Sequence, residues 1–184
     1  MQPPEPILVD LTRRYCEPHR VFHTLRHVAD MLMNGRDLGL TGEQVLAIWY
    51  HDAIYDVQSR TNEVDSAALA SEQLFSAGYP VASLRTVERI VLDTITHEAS
   101  IEEAGIVMDL DLAALGGPWE GFCANTALIR AEHAHLDDAS FQLEQAQMFH
   151  ELLERPRIFH TDWGERLEAQ ARSNLARAIE AGAR

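Results

Sequence analysis

Apolar residues recur every three or four positions along almost the whole chain, and strict alternation nowhere extends over the length of a strand. Because residues with this spacing share one face of a helix, the pattern predicts an all-α fold. The predicted helices cover about 8–15, 21–38, 41–55, 62–77, 81–97, a short segment from about 108, 120–153 with a break near 137, and 163–181. Residues 1–7 are expected to form an N-terminal tail. With 184 residues and no long linker, the chain is predicted to form a single domain.

Glycine, proline and one threonine mark the ends of several predicted helices. Gly39 follows the second helix, and Thr41 marks the start of the third. Gly78 and Pro80 close the fourth helix. The Gly-Gly-Pro sequence at 116–118 predicts a break before the last helices, because glycine and proline mark turns and loops.

Composition and charge restrict the classes of partner. Hydrophobic residues make up 46% of the chain and charged residues 24%, which is ordinary for a soluble globular protein. The apolar runs fall far short of the roughly 18 consecutive residues that a membrane-spanning helix needs, so no membrane partner is expected. The first six residues lack the basic start and apolar core of a signal peptide, which favours a cytoplasmic location. A net charge of -14 with no basic stripe makes duplex nucleic acid an unexpected partner.

One carboxylate falls on an apolar helix face. Val45, Ile48 and Trp49 lie at i, i+3 and i+4, and Asp52 occupies i+7 of the same stripe. A carboxylate seldom enters a core without a partner, because unpaired burial costs several kcal/mol or forces the group to become neutral. His51 is its neighbour in sequence. The pair predicts either a metal site or, alternatively, a simple Asp52–arginine ion pair with His51 at the surface.

Two further segments carry the same anomaly. His23 and His27 lie at i and i+4 along one edge of the preceding predicted helix. Asp111 shares an apolar stripe with Met108, Leu112 and Leu115, whereas Asp109 falls off that stripe. A divalent ion held by residues from all three segments explains the three anomalies together, and the predicted ligands are His27, His51, Asp52 and Asp111.

The predicted ligand set constrains the chemistry. Two imidazoles and two carboxylates bring about two negative charges, which neutralise a divalent cation and leave coordination positions for water and a substrate oxygen. Mixed nitrogen and oxygen ligands suit Mn, Fe, Co, Ni or Zn, and Mg less well. The segment from His23 to His27 has the paired histidines of a metalloprotease helix, but Thr24 stands where that class needs its glutamate. Protease chemistry is therefore not predicted.

These residues resemble the ligand set of the HD superfamily of metal-dependent phosphohydrolases. The stretches that are similar to a small bacterial group of predicted HD phosphohydrolases run from Arg20 to His27, His51 to Asp56, Asn62 to Ala67, Thr94 to His97, Asp109 to Leu112, and Ala171 to Leu175. The resemblance covers about 8–178 and implies an HD-type helical bundle with a divalent metal ion. The chain departs from the group's pattern at Gln145, where an arginine is expected nearby, and at His133, where tyrosine is usual.

The resemblance also implies roles for other residues. Asp56 or Glu63 would orient the attacking water or protonate the leaving oxygen, with a helix cap or a surface carboxylate as the alternative. Four residues are candidates for substrate contact, against the alternatives of structural histidines and surface ion pairs: His23, His97, Arg20 and Arg130. Three acidic residues in the last third are expected to lie on solvated helix faces: Glu132, Glu151 and Glu168.

The resulting hypothesis is a metal-dependent phosphohydrolase that acts on a small phosphorylated substrate, such as a nucleotide or a related phosphometabolite. Phosphomonoesters and phosphodiesters both remain open, and the oligomeric state is not predicted. A bound metal ion supplies the positive charge that the acidic chain lacks. The first alternative is a metal-containing domain that binds or senses a nucleotide without turnover, and the second is a helical assembly module with no ion.

Overall fold

The structure is a computed structural model that describes residues 3–182, and every regular element in that part of the chain is helical. The all-α prediction is therefore confirmed. The helices are α1 (Glu5–Tyr15), α2 (Leu25–Gly35), α3 (Gly42–Tyr50), α4 (Asn62–Ser76), α5 (Val81–Asp93), α6 (Glu102–Asp111), α7 (Trp119–Glu132), α8 (Asp138–Glu154) and α9 (Asp162–Gly182). A short 3-10 helix (Leu112–Gly116) continues directly from α6. Within residues 3–182, no helix combines the length and apolar character needed to cross a membrane.

Buried apolar side chains of the described residues fall into two clusters. The larger cluster is formed by α1 to α6, and α5 packs against α3, α4 and α6 within it. The smaller cluster joins α7, α8 and α9 with Ile158 and Phe159, which connect α8 to α9. Full burial of a leucine-sized or phenylalanine-sized side chain stabilises a fold by roughly 1.5–3 kcal/mol, so these clusters supply the main driving force. The C-terminal end of α6 lies where the two clusters meet, since α6 packs against both α5 and α9.

Two predicted boundaries are confirmed by their capping geometry. Thr41 caps α3, because its hydroxyl accepts the Gln44 N–H while the Gln44 side chain accepts the Thr41 N–H. Asp137 caps α8 by accepting the Ser140 N–H at 2.7 Å. The predicted break near 137 therefore separates α7 from α8.

The predicted start of α2 is wrong by four residues. The helix begins at Leu25 with Thr24 as its N-cap, and residues 21–23 precede it in irregular backbone. The N–H groups of these three residues all donate to one carboxylate oxygen of Glu132, at 2.7, 2.7 and 2.9 Å. Because Glu132 lies more than 100 residues further along the chain, the apolar pattern around residue 21 contained no sign of this contact.

Four other helix boundaries also differ from the prediction. Helix α3 ends at Tyr50 rather than near 55, because the N–H of Asp52 donates to the Tyr15 hydroxyl and the N–H of Ile54 donates to the Ser66 hydroxyl instead of to carbonyls four residues back. Helix α5 ends at Asp93 rather than at 97. At the N-terminus, α1 already begins at Glu5 and buries Ile7, so the predicted tail is wrong for 5–7, while residues 1 and 2 lie outside the described residues. Helix α6 begins at Glu102, before the predicted start near 108.

Candidate metal centre

Three of the four predicted ligands form a compact group. His27 comes from α2, His51 directly follows α3, and Asp111 is the last residue of α6. One ligand atom from each lies within 4.8 Å of the other two. His27 Nε2 is 2.9 Å and His51 Nε2 is 3.8 Å from the same oxygen of Asp111. The fold thus brings together two imidazoles and a carboxylate that are distant in sequence.

The hydrogen bonding of His51 fixes the orientation of its ring. Its Nδ1 lies 2.8 Å from the Ile48 carbonyl, which can only accept, so Nδ1 carries the proton. Nε2 is buried and has no hydrogen-bond partner among the described residues, although it lies 3.0 Å from Asp52 Oδ2. The short distance is therefore a charge contact without hydrogen-bond geometry. Metal-ligating histidines commonly donate one ring N–H to a backbone carbonyl, which leaves the other nitrogen for the ion, and the contact of Nδ1 with the Ile48 carbonyl follows this pattern.

Electrostatics at this group favour a cation. Burial acts to lower the pKa of His51, but the carboxylates of Asp52 and Asp111 outweigh it and raise this pKa to about 9. Burial acts to raise the pKa of both carboxyl groups, yet His51 and the other nearby imidazoles hold these two pKa values below their usual range. Either a proton or a metal ion at Nε2 of His51 would satisfy this charge balance.

Asp52 lies beside the group rather than in its centre. Its carboxylate is buried and contacts His51, whereas the set within 4.8 Å contains His27, His51 and Asp111. The backbone N–H of Asp52 donates to the Tyr15 hydroxyl, and its carbonyl accepts from Arg20. Asp52 is thus held rigidly at the edge of the centre, where its oxygen faces the same nitrogen of His51 that a metal ion would bind.

Arg20 supports the backbone of the site. It was predicted to contact substrate, but its guanidinium is buried against the chain itself. Its side chain is 0% exposed. The guanidinium donates to the carbonyls of His23, Asp52 and Ala53, at 2.7–3.1 Å, and to Glu17. The side chain therefore uses its donors on the chain itself and ties the loop before α2 to the loop after α3.

Glu132 holds His23 in place, and the prediction that Glu132 lies on a solvated face is wrong. The glutamate side chain is 1% exposed. One oxygen accepts the three N–H groups of residues 21–23, and the other lies 2.6 Å from His23 Nδ1 and accepts the Tyr55 hydroxyl at 3.1 Å. Burial acts to raise the pKa of Glu132, but His23 and these N–H groups lower it to about 2. Glu132 therefore fixes Nδ1 of His23 and leaves Nε2 as the nitrogen that can face a substrate.

His97 contacts the group from the opposite side of Asp111. Its Nε2 lies 3.1 Å from Asp111 Oδ2, while His27 contacts the other oxygen. The backbone of His97 has a φ of 52°, which an L-residue seldom adopts outside turns and functional sites. Its carbonyl accepts from Arg155 and contacts the ring of His160. These bonds hold the unusual backbone and thereby direct the imidazole towards Asp111.

The remaining predicted residues lie away from the group. Asp56 is exposed and accepts the Gln58 N–H within a turn, and Glu63 is half-buried on the first turn of α4. Neither is among the described residues that line the cavities beside the centre. Arg130 binds Asp138 at 2.7 Å and two carbonyls between α7 and α8, so it stabilises that connection. For these three residues, the structural alternatives fit the observed contacts.

Asp109 and Asp111 have different roles although they are only two positions apart in the sequence. Asp109 is 0% exposed, so the inference that it lies off the buried side of its helix is wrong. Its carboxylate accepts the N–H groups of His160 and Thr161 and the Thr161 hydroxyl. Asp109 thus anchors the start of α9.

Two glutamates that were expected to be solvated differ in the structure. Glu168 accepts the N–H groups of Ile158 and Phe159, whereas Glu151 is exposed as predicted.

A cavity of about 560 Å³ opens beside the centre. His23, His97 and Asp111 line it, and α7 and α8 supply much of the remaining wall. Gln145, His133 and Arg155 also line it. Arg155 had no distinguishing feature in the sequence, since only the fold brings the end of α8 against the backbone of Thr96 and His97.

A second cavity of about 420 Å³ lies on the α2 side of the centre. His27 and Asp111 line it, together with Arg26 and Asp30 from the exposed face of α2. Asp111 and Phe22 line both cavities. Both cavities therefore border the candidate centre at Asp111, and the second cavity also borders it at His27.

Comparisons of the chain with protein-family models, with curated proteins and with solved structures found no match.

Proposed function

We propose that this protein is a metal-dependent phosphohydrolase of the HD type that cleaves a phosphate ester of small size, such as a nucleotide or a related phosphometabolite. The observation that carries the proposal is the buried Nε2 of His51, which has no hydrogen-bond partner among the described residues and lies close to Asp52 and Asp111. It belongs with His27 and Asp111 to one compact group, and Asp111 lines the larger cavity. Ligands of this type bind first-row divalent ions. Because both cavities border Asp111, a substrate oxygen would have space beside such an ion.

The chain's own residues would divide the work. His27, His51 and Asp111 would hold the ion, and Asp52 would complete the set or balance its charge. When bound, the ion would supply Lewis-acid activation of a water molecule and of a phosphoryl oxygen. His23 would donate a hydrogen bond from Nε2 to the substrate, because Glu132 holds its other ring nitrogen. His97 would keep Asp111 oriented by its contact with Oδ2.

The test is phosphate release from a panel of nucleotides and sugar phosphates by protein loaded separately with Mn, Fe, Co, Ni, Zn or Mg. We expect turnover with at least one metal and its loss on chelation. Replacing His51 and Asp52 together by alanine should abolish turnover, because the change removes one proposed metal ligand and the carboxylate beside it. The matched control is His150→Ala, which removes an exposed histidine of α8. Activity that survives in the double variant would falsify the proposal.

One observation favours a second candidate, a metal-containing domain that binds or senses a nucleotide without turnover. Among the described residues that line the larger cavity, Arg155 is the only arginine, and its guanidinium already donates to the Thr96 and His97 carbonyls. The arginine that the family pattern places near Gln145 is replaced by an uncharged side chain. Tight nucleotide binding to the loaded protein without hydrolysis at any pH would select this candidate.

A further inference from the structure

Aromatic rings form part of the wall of the larger cavity. Phe122 on α7 and both Phe141 and Phe149 on α8 line it, and Phe22 lies between the two cavities. Three of these four rings are buried in the smaller hydrophobic cluster or beside it, so their positions are held by packing. Rigid aromatic walls of this kind bind the apolar part of a ligand.

The mouth of the cavity is apolar as well. Ile95, which follows α5, is 52% exposed, and Met148 on α8 is 47% exposed. Both line this cavity, although they come from separate elements. Large exposed side chains that border the same opening are typical of a site that a ligand covers. Contact with an organic group at the mouth would remove this apolar surface from water.

Charge around the cavity limits the anionic part of a ligand. Glu144 and Glu151, both exposed on α8, line the cavity. The chain contains no lysine, and Arg155 is committed to backbone carbonyls. A single phosphate at the metal centre would be neutralised there, whereas a second or third phosphate that extended into the cavity would meet carboxylates. These like charges would repel each other.

We propose that the substrate is a phosphate ester whose organic group is uncharged and mainly apolar, and that this group lies between α7 and α8 while its phosphate faces His23, His97 and Asp111. This inference rests on the proposed function for the placement of the phosphate. A volume of about 560 Å³ accommodates a group of one or two rings or a short alkyl chain beside a phosphate. Nucleoside di- and triphosphates are disfavoured by the same charges.

The probes are methyl-, butyl- and hexylphosphonate, whose carbon–phosphorus bond resists hydrolysis. Calorimetric titration into the Mn-loaded full chain measures their dissociation constants without any need for turnover. Each buried methylene should tighten binding by about two- to fourfold, so the hexyl compound should bind about thirtyfold or more tightly than the methyl compound. Equal affinity of the three phosphonates overturns the inference.

A pair of variants locates the apolar group. Met148→Glu adds a third carboxylate to the cavity mouth and should reduce the preference for hexylphosphonate over methylphosphonate by about tenfold. Leu143→Glu is the matched control, because Leu143 is 71% exposed on the same helix and is not among the described lining residues. The inference is wrong if both variants change the preference to the same extent.

Turnover separates this inference from the proposed function. If hexylphosphonate binds tightly but no ester is hydrolysed with any metal, the cavity assignment holds and the phosphohydrolase proposal fails. If esters are hydrolysed with rates independent of the apolar size of their organic group, and the phosphonates bind equally, the phosphohydrolase proposal holds and the substrate class is wrong.

Discussion

Glu132 Oε2 lies 2.6 Å from His23 Nδ1, across 109 residues of sequence. The same carboxylate accepts the three consecutive N–H groups before α2, so one side chain determines where that helix starts and how a cavity-lining imidazole is oriented. Packing between the two hydrophobic clusters is therefore coupled to the geometry of the candidate centre. Any change that separates α7 from the loop at 21–23 should disturb both stability and function.

Replacing Glu132 by alanine should lower the free energy of unfolding by about 3 kcal/mol. The buried N–H groups of residues 21–23 would lose their acceptor, and His23 would lose its buried counter-charge. Urea denaturation measures the effect. Glu120→Ala is the control, since Glu120 is an exposed residue of the same helix, and it should change stability by less than about 0.5 kcal/mol. Similar effects of the two substitutions would contradict the assigned role of Glu132.

The metal-free protein should lose stability as the pH rises from 6.5 towards 9. The pKa of His51 is about 9 in the folded protein, against 6.5 in the unfolded chain, so folding favours the protonated form. A raised pKa contributes stability that is fully present below pH 6.5 and is lost as the pH passes about 9. Urea denaturation in the presence of a chelator measures this loss. In His51→Gln, the decline between these pH values should be much smaller, and an unchanged decline would rule out His51 as its source.

Substitution of the two aspartates of α6 by asparagine should separate folding from metal binding. Asp109→Asn places an amide against the N–H groups of His160 and Thr161, so it should cost about 2–3 kcal/mol of stability while the folded protein keeps its metal affinity. Asp111→Asn should weaken metal binding by about 100-fold or more, because it removes a predicted ligand charge. Metal titration and urea denaturation of both variants check the pair. Equal loss of metal affinity in both would refute the assignment.

At His97, glycine should be tolerated better than alanine. The backbone φ of 52° is strained for alanine and accessible to glycine, so His97→Gly should be more stable than His97→Ala by about 1 kcal/mol. Both variants lack the imidazole, and both should therefore show the same change in metal affinity. Thermal or urea unfolding measures the difference. A more stable alanine variant would show that the backbone at 97 relaxes when the histidine is removed.

Periodicity and local chemistry were sufficient for much of the fold. The helical class, the capping of α3 by Thr41 and the break near 137 depend on residues within one or two helical turns of each other, which is the range that a sequence pattern reports. The anomalous placement of Asp52 and Asp111 on apolar faces was also visible locally, because a polar group in an apolar stripe is unusual whatever packs against it. The structure brings His27, His51 and Asp111 to within 4.8 Å.

The tertiary structure alone decided which other polar residues belong to the centre. Glu132 and Glu151 look alike in sequence, yet one is buried against the loop at 21–23 and the other is exposed at a cavity mouth. From the sequence Arg20 was a candidate for phosphate contact, but in the folded chain its guanidinium donates to the carbonyls of Asp52 and Ala53 after α3. These roles depend on contacts between residues 32 to 111 positions apart. Such contacts are stabilised by hydrogen bonds whose loss would leave buried polar groups without a partner. Sequence spacing carries information about a helix face, whereas such contacts exist only after the helices have packed.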